Sequence, residues 1–186
     1  KAAELFQRVV EAMPTFAPAH SSLAQLLNSN HIVLPGVFRD PRRTERALAY
    51  AREAARLDPI DSRSQRCLGW SHAMAKQYDQ AMIYIPLAQE LNENDPWTMV
   101  SAANCYAFCG EYQRAHELAA HALALPLAPS PLQWSYHVAV RFMEGDYEGC
   151  VAAAEAAGDV NPNVRGYKSA SLFHLGKIES ARKELK

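Results

Sequence analysis

The sequence lacks the apolar run of about 18 residues or more that a membrane-spanning helix requires. It also lacks an excess of either charge, since its 186 residues carry a formal net charge of -1. Nucleic-acid-binding domains normally present a basic face. The densest basic cluster, between Arg39 and Arg46, is interrupted by Asp40 and Glu45. We interpret this cluster as a solvated loop and helix start, and expect neither membrane binding nor direct nucleic-acid binding.

The sequence has few cysteines and none of the common catalytic motifs. The four cysteines form no C-x-x-C pair and lie on predicted inward helix faces, which favours reduced, buried thiols and a cytoplasmic location. Cys105 and Cys109 could share a helix face and bind a soft metal with a histidine, but packing of two small residues is the favoured interpretation. H-E-x-x-H, G-x-S-x-G and a Gly-rich phosphate loop are all absent. We therefore expect no catalytic residues, no metal, no cofactor and no enzymatic activity.

The sequence does contain a recurrent helical pattern. Asp95-Pro96, Ser130-Pro131 and Asn161-Pro162 each place a capping side chain before a proline that suits the first helical position. Their spacing of about 30 to 35 residues predicts a helical repeat. Small residues are expected where helix axes approach closely, and glycines where first helices end in a left-handed turn. The small residues are Ala81, Ala115, Cys150 and Ala181, and the glycines are Gly110, Gly145 and Gly176.

The repeat divides the chain into six predicted segments. They are the second helix of a truncated repeat (1–16), a repeat with an insertion (17–61), three further repeats (62–95, 96–130 and 131–161) and a partial repeat (162–186). Because the sequence begins without Met inside a helical pattern, we expect a piece of a longer protein with no signal peptide. We expect the insertion, residues 28–44, to extend the first helix of its repeat and then to form a loop. Pro86 predicts a kink in its helix.

The segment from Pro59 to Pro96 resembles a tetratricopeptide repeat, because Leu68-Gly69, Tyr78, Ala81, Ala88 and Leu91 stand at the spacing of that family. The resemblance implies an all-α fold over residues 1–186, a right-handed α-solenoid of antiparallel helix pairs. It also implies a concave groove lined by first helices. The groove positions are Arg63, Arg66, Trp70, Met74, Trp97, Asn104, Phe108, Tyr136 and Phe142.

The lining implied by the resemblance is mainly apolar. Some tetratricopeptide proteins hold peptide C-termini with a clamp of Lys, Asn and Arg, but here Val100 and Ser101 replace the charged members beside Asn104. An apolar groove suits a partner helix, an extended apolar peptide or a flanking segment of the same protein. The alternative is that the aromatic residues only pack between neighbouring first helices.

Two functions follow from the resemblance. The strings F-A-P-A-H-S-S-L-A and A-R-L-D-P-I-D-S-R-S are similar to the tetratricopeptide tails of bacterial nucleotide cyclases and winged-helix transcription regulators. The first expectation is a non-catalytic scaffold that binds a peptide or helix of a partner protein. The alternative is a C-terminal sensory or regulatory domain of a bacterial adenylate cyclase or transcriptional regulator. An end face of the array could also support a homodimer.

Overall fold

The computed structural model of the protein describes residues 1–33 and 41–185. Within these residues the chain is all-helical, with eleven helices and no strand, which confirms the predicted all-α class. The helices are α1 (Ala2–Ala12), α2 (Ala17–Val33), α3 (Pro41–Leu57), α4 (Ser62–Met74), α5 (Tyr78–Leu91), α6 (Pro96–Phe108), α7 (Tyr112–Ala124), α8 (Pro131–Glu144), α9 (Tyr147–Ala157), α10 (Pro162–His174) and α11 (Ile178–Glu184).

The helices form two units, residues 1–93 and 94–186. In the first unit α1 packs on α2, α2 pairs with α3, α4 pairs with α5, and both α2 and α3 contact α4. In the second unit the pairs are α6 with α7, α8 with α9 and α10 with α11, while α8 contacts both α6 and α10. Within each unit, neighbouring helices therefore pack in pairs, which is consistent with an α-solenoid.

The predicted helix starts are confirmed by their hydrogen bonds. The Asp95 carboxylate accepts from the backbone N–H groups of Trp97 and Thr98, the latter at 2.9 Å. Ser130 and Gln133 cap α8 reciprocally, and the Asn161 side chain accepts from the first backbone N–H groups of α10. A proline follows each cap, as predicted. Because these side chains satisfy donors that the helix leaves free, the helix boundaries are fixed locally.

The turns between paired helices use a left-handed residue at one equivalent position. Gly110, Gly145 and Gly176 adopt φ values of 87°, 81° and 75°, as predicted for the ends of first helices. In the first unit the equivalent position is occupied by Lys76, with φ of 59°. A side chain in this region costs roughly 1–2 kcal/mol. The sequence pattern of glycines did not predict this strained lysine.

Small residues stand where paired helices approach each other. Ala81, Ala115, Cys150 and Ala181 are all buried, in agreement with the predicted repeat register. Gly69 of α4 also lies at a close approach, because a β-carbon at this position would lie 2.6 Å from Cγ1 of Ile85 and 3.2 Å from its backbone nitrogen. Glycine is thus required at this crossing of α4 and α5.

Part of the predicted insertion lies outside the described residues. The first helix of this repeat is extended as predicted, since α2 continues to Val33. The loop predicted within residues 28–44 includes residues 34–40, which lie outside the described part. Pro86 lies inside α5, and the kink expected there stays a prediction. Among the described residues, no helix combines the length and apolar character needed to cross a bilayer.

Candidate functional site

The groove residues predicted in the first unit differ widely in exposure. Arg63 is exposed and Met74 is half-buried, whereas Arg66 and Trp70 retain only 4% and 5% of their surface. All four lie on α4, as the repeat register requires. Because Arg66 and Trp70 are buried, they offer a ligand almost no surface, and their main contribution is to the packing of α4.

Three buried polar side chains of α4, those of Gln65, Ser71 and His72, form hydrogen bonds inside the first unit. The Gln65 amide donates to the Pro59 carbonyl at 2.7 Å, and Asn28 of α2 donates to the Ser71 hydroxyl at 2.9 Å. His72 hydrogen-bonds Gln77 at 2.7 Å and stacks on Tyr84. Burial lowers the pKa of His72, which keeps its imidazole neutral. These bonds offset the cost of burying a polar helix.

In the second unit, Asn104 is also buried, with 1% of its surface exposed. Its amide oxygen has no hydrogen-bond partner among the described residues. Phe108, at the end of the same helix, is half-buried. Asn104 therefore lies in the interior of α6 packing, and only Phe108 of these two presents surface for a partner.

Trp97 and Tyr136 form an aromatic pair across the junction of α6 and α8. Their ring centroids are 5.2 Å apart and the rings meet edge to face. Both residues are half-buried, so part of their surface remains accessible. An edge-to-face pair of this kind stabilises the junction by about 0.5–1.5 kcal/mol beyond its buried area. The pair therefore both connects two first helices and leaves apolar surface exposed.

A second aromatic pair, Phe142 and Tyr167, connects α8 and α10, with ring centroids 5.1 Å apart. Both are half-buried and also pack against the core cluster around Val138 and Cys150. We refer to Trp97, Tyr136, Phe142 and Tyr167 as the aromatic face of the second unit. The structure thus brings together three predicted groove residues, Trp97, Tyr136 and Phe142, as members of pairs that connect first helices.

Two further aromatic side chains extend the contacts of Phe142. Tyr147 begins α9 and stacks on His174 of α10, with nearly parallel rings and centroids 4.3 Å apart. Phe142 contacts Tyr147 at 5.9 Å and His174 at 6.3 Å. The predicted groove residues include neither Tyr147 nor His174. No sequence pattern predicts the contact of His174, because stacking between different helix pairs has no fixed sequence spacing.

Burial shifts the pKa of two side chains on the first helices of the second unit. Burial, with a smaller effect from Arg141, lowers the pKa of His137 to about 4, and burial raises the pKa of Tyr167. The Arg141 guanidinium is itself paired with Asp146 at 3.0 Å. His137 is therefore neutral near pH 7.

The cysteines are free thiols, as predicted. Cys67 and Cys150 are buried and lie 3.4 Å from the backbone carbonyls of Ser21 and Val138. Burial raises the pKa of Cys105, whereas a hydrogen bond from Cys105 lowers the pKa of the half-exposed Cys109. No group of three or more metal-ligating side chains occurs within residues 1–33 and 41–185.

Comparison with known proteins adds no assignment. No protein-family model matches the chain. No curated protein matches it either.

Proposed function

We propose that the chain is a non-catalytic scaffold of tetratricopeptide type, whose second unit binds an apolar helix or extended segment of a partner protein. The bound segment lies over the aromatic face, on the concave side of a right-handed superhelix. The proposal places the protein in a bacterial cytoplasm. The single observation that carries it is the pairing of half-exposed aromatic rings at both junctions between first helices.

The physical support comes from the energetics of interfaces. Tyrosine and tryptophan dominate the binding energy of protein interfaces because they bury a large area with little loss of side-chain freedom. Trp97 and Tyr136 are held in place by each other, so a partner would meet a surface whose side chains are already ordered. Neither residue belongs to the core cluster around Val138. Changing this pair therefore leaves the cluster around Val138 in place.

The test compares two tyrosine variants of the whole chain. Tyr136→Ala removes half of the Trp97 pair, whereas Tyr112→Ala removes an exposed tyrosine, 49% accessible, from the start of α7. Proteins captured from bacterial extract by the immobilised wild-type chain are identified, purified and titrated against each variant. We expect Tyr136→Ala to weaken binding about tenfold or more, as for a hot-spot residue, and Tyr112→Ala to leave it unchanged.

Thermal unfolding of both variants separates binding from folding. Equal binding by the wild type and Tyr136→Ala would reject the aromatic face as the partner site. Binding lost in proportion to a loss of folded protein would show that the Trp97–Tyr136 pair serves packing alone. Capture of nothing by the wild-type chain would count against the scaffold function as a whole.

A further inference from the structure

The first unit contains a cleft of about 400 Å³ between α1, α2 and α3. This volume falls in the range of about 300–1,000 Å³ that is typical of small-molecule sites. The side chains that define its chemistry are Gln7, Arg8, Leu23, Leu26, Leu27 and Arg46. None of them belongs to the predicted groove.

The floor of the cleft is apolar. Leu23 is buried, with 3% of its surface exposed, while Leu26 and Leu27 remain half-buried on the same helix. Leucines at this spacing form a continuous stripe along α2. A ligand with a short hydrocarbon chain would remove this stripe from water and be stabilised in proportion to the area covered.

The rim of the cleft is cationic. Arg8 of α1 and Arg46 of α3 are both exposed lining residues, and the ion pairs of the described part of the chain include neither of them. Glu4 is the one carboxylate in the lining, so two guanidinium groups face one negative charge. Guanidinium groups bind carboxylates through paired, charge-assisted hydrogen bonds. The rim therefore favours an anionic head group.

Gln7, which lines the cleft, takes part in two side-chain hydrogen bonds. The Tyr50 hydroxyl of α3 donates to the Gln7 side-chain oxygen at 2.7 Å, and the Gln7 amide donates to Glu11 at 3.3 Å. The first of these bonds connects α3 to α1, and the second lies within α1. The Gln7 side chain is therefore held in position before any ligand binds, which lowers the ordering cost of binding beside it.

From this arrangement we propose that the cleft binds a small amphiphilic carboxylate, with its hydrocarbon chain on Leu23, Leu26 and Leu27 and its head group between Arg8 and Arg46. The site lies wholly in the first unit and does not depend on partner binding by the aromatic face. A ligand at this position would contact three helices and so stabilise their packing by mass action.

Isothermal titration of the full chain with decanoate tests the site, with decanol and acetate as matched probes. We expect saturable binding of decanoate, binding of decanol weaker by about tenfold or more because it lacks the charge, and no detectable binding of acetate. Arg8→Gln and Arg46→Gln should each weaken decanoate binding about tenfold. Arg52→Gln is the control, because Arg52 is an exposed arginine of α3 outside the lining.

Several outcomes would overturn the proposal. These are the absence of saturable decanoate binding, equal affinity for decanol and decanoate, wild-type affinity in both Arg8→Gln and Arg46→Gln, or an equal loss in Arg52→Gln. Tyr136→Ala should bind decanoate as the wild type does, so failure of this site is distinguishable from failure of partner binding. Association with anionic lipid vesicles in place of free decanoate would likewise reject the cleft as a site for a free carboxylate.

Discussion

Protonation of His137 should weaken the second unit as the pH falls. His137 lies on α8 with 2% of its surface exposed, beside the Trp134 ring at 5.2 Å, and its Nδ1 has no hydrogen-bond partner within the described structure. Arg141, four residues further along the same helix, adds an unfavourable positive charge. An imidazolium at this position would be desolvated and repelled, so the folded state strongly favours the neutral ring.

The size of the effect follows from the two pKa values. The ordinary histidine pKa is 6.5, and the folded state lowers the pKa of His137 to about 4. Between these values the unfolded chain binds more protons than the folded chain, so the free energy of unfolding falls as the pH falls. The contribution is fully present above pH 6.5 and is lost progressively down to about pH 4. Its total is about 3 kcal/mol, at 1.36 kcal/mol for each tenfold change.

The measurement compares the pH dependence of stability in the wild type and in His137→Phe. Urea unfolding of both proteins is followed from pH 7 to pH 4, and the difference between the two curves isolates His137 from His72 and from the carboxylates. We expect the wild type to lose about 3 kcal/mol more than the variant over this range. The readout is the difference between the two proteins in the slope of the free energy of unfolding against pH. The absolute free energies are not compared, because phenylalanine also changes packing at this buried position.

An NMR titration of the histidine side chains provides the direct check. The resonance absent from His137→Phe identifies His137, and its midpoint should lie near pH 4. A midpoint at pH 6 or above, or parallel stability curves for the two proteins, would refute the assignment of His137 as a buried neutral base.

Three further predictions concern local packing and reactivity. Gly69→Ala should destabilise the first unit by about 1–3 kcal/mol, because the new methyl group meets Ile85. Thermal melting checks this prediction. Gly166→Ala is the control, since a β-carbon at residue 166 meets nothing within 4 Å. Lys76→Gly should raise the free energy of unfolding by about 0.5–1 kcal/mol, because glycine adopts the left-handed backbone conformation of residue 76 without strain. An unchanged free energy of unfolding would show that the backbone of Lys76 is not strained. Cys109 should react first with a thiol reagent, because it is half-exposed and its pKa is lowered; peptide mapping of the native protein identifies the modified residue.

Much of the helical organisation could be predicted from the sequence because it depends on local chemistry. Asp95, Ser130 and Asn161 fix helix starts through bonds to residues within three positions. Gly110 marks a turn for the same reason, since only the backbone of one residue is involved. Lys76 shows the limit of this approach, because surrounding packing can hold a non-glycine residue in the same conformation.

The candidate sites were harder to predict, since exposure depends on neighbours distant in sequence. A repeat register assigns Arg66 and Asn104 to a groove, but both are buried by packing that the register does not describe. The cleft of the first unit combines Arg8 and Arg46 from helices that no sequence motif connects. Helical periodicity predicts which side chains share a face, whereas the open volume between three helices depends on how their axes pack.

The burial of Trp70 changes which residue can test partner binding. The repeat register assigns Trp70 to the groove, where its truncation would lower partner affinity more than stability. With 5% of its surface exposed, Trp70 instead resembles a core side chain, and truncation of such a residue costs about 3–5 kcal/mol. A loss of that size is comparable to the whole stability of many domains, so reduced binding would reflect unfolding. Tyr136 is half-buried and outside the core cluster, so its truncation removes accessible aromatic surface while leaving the cluster around Val138 intact.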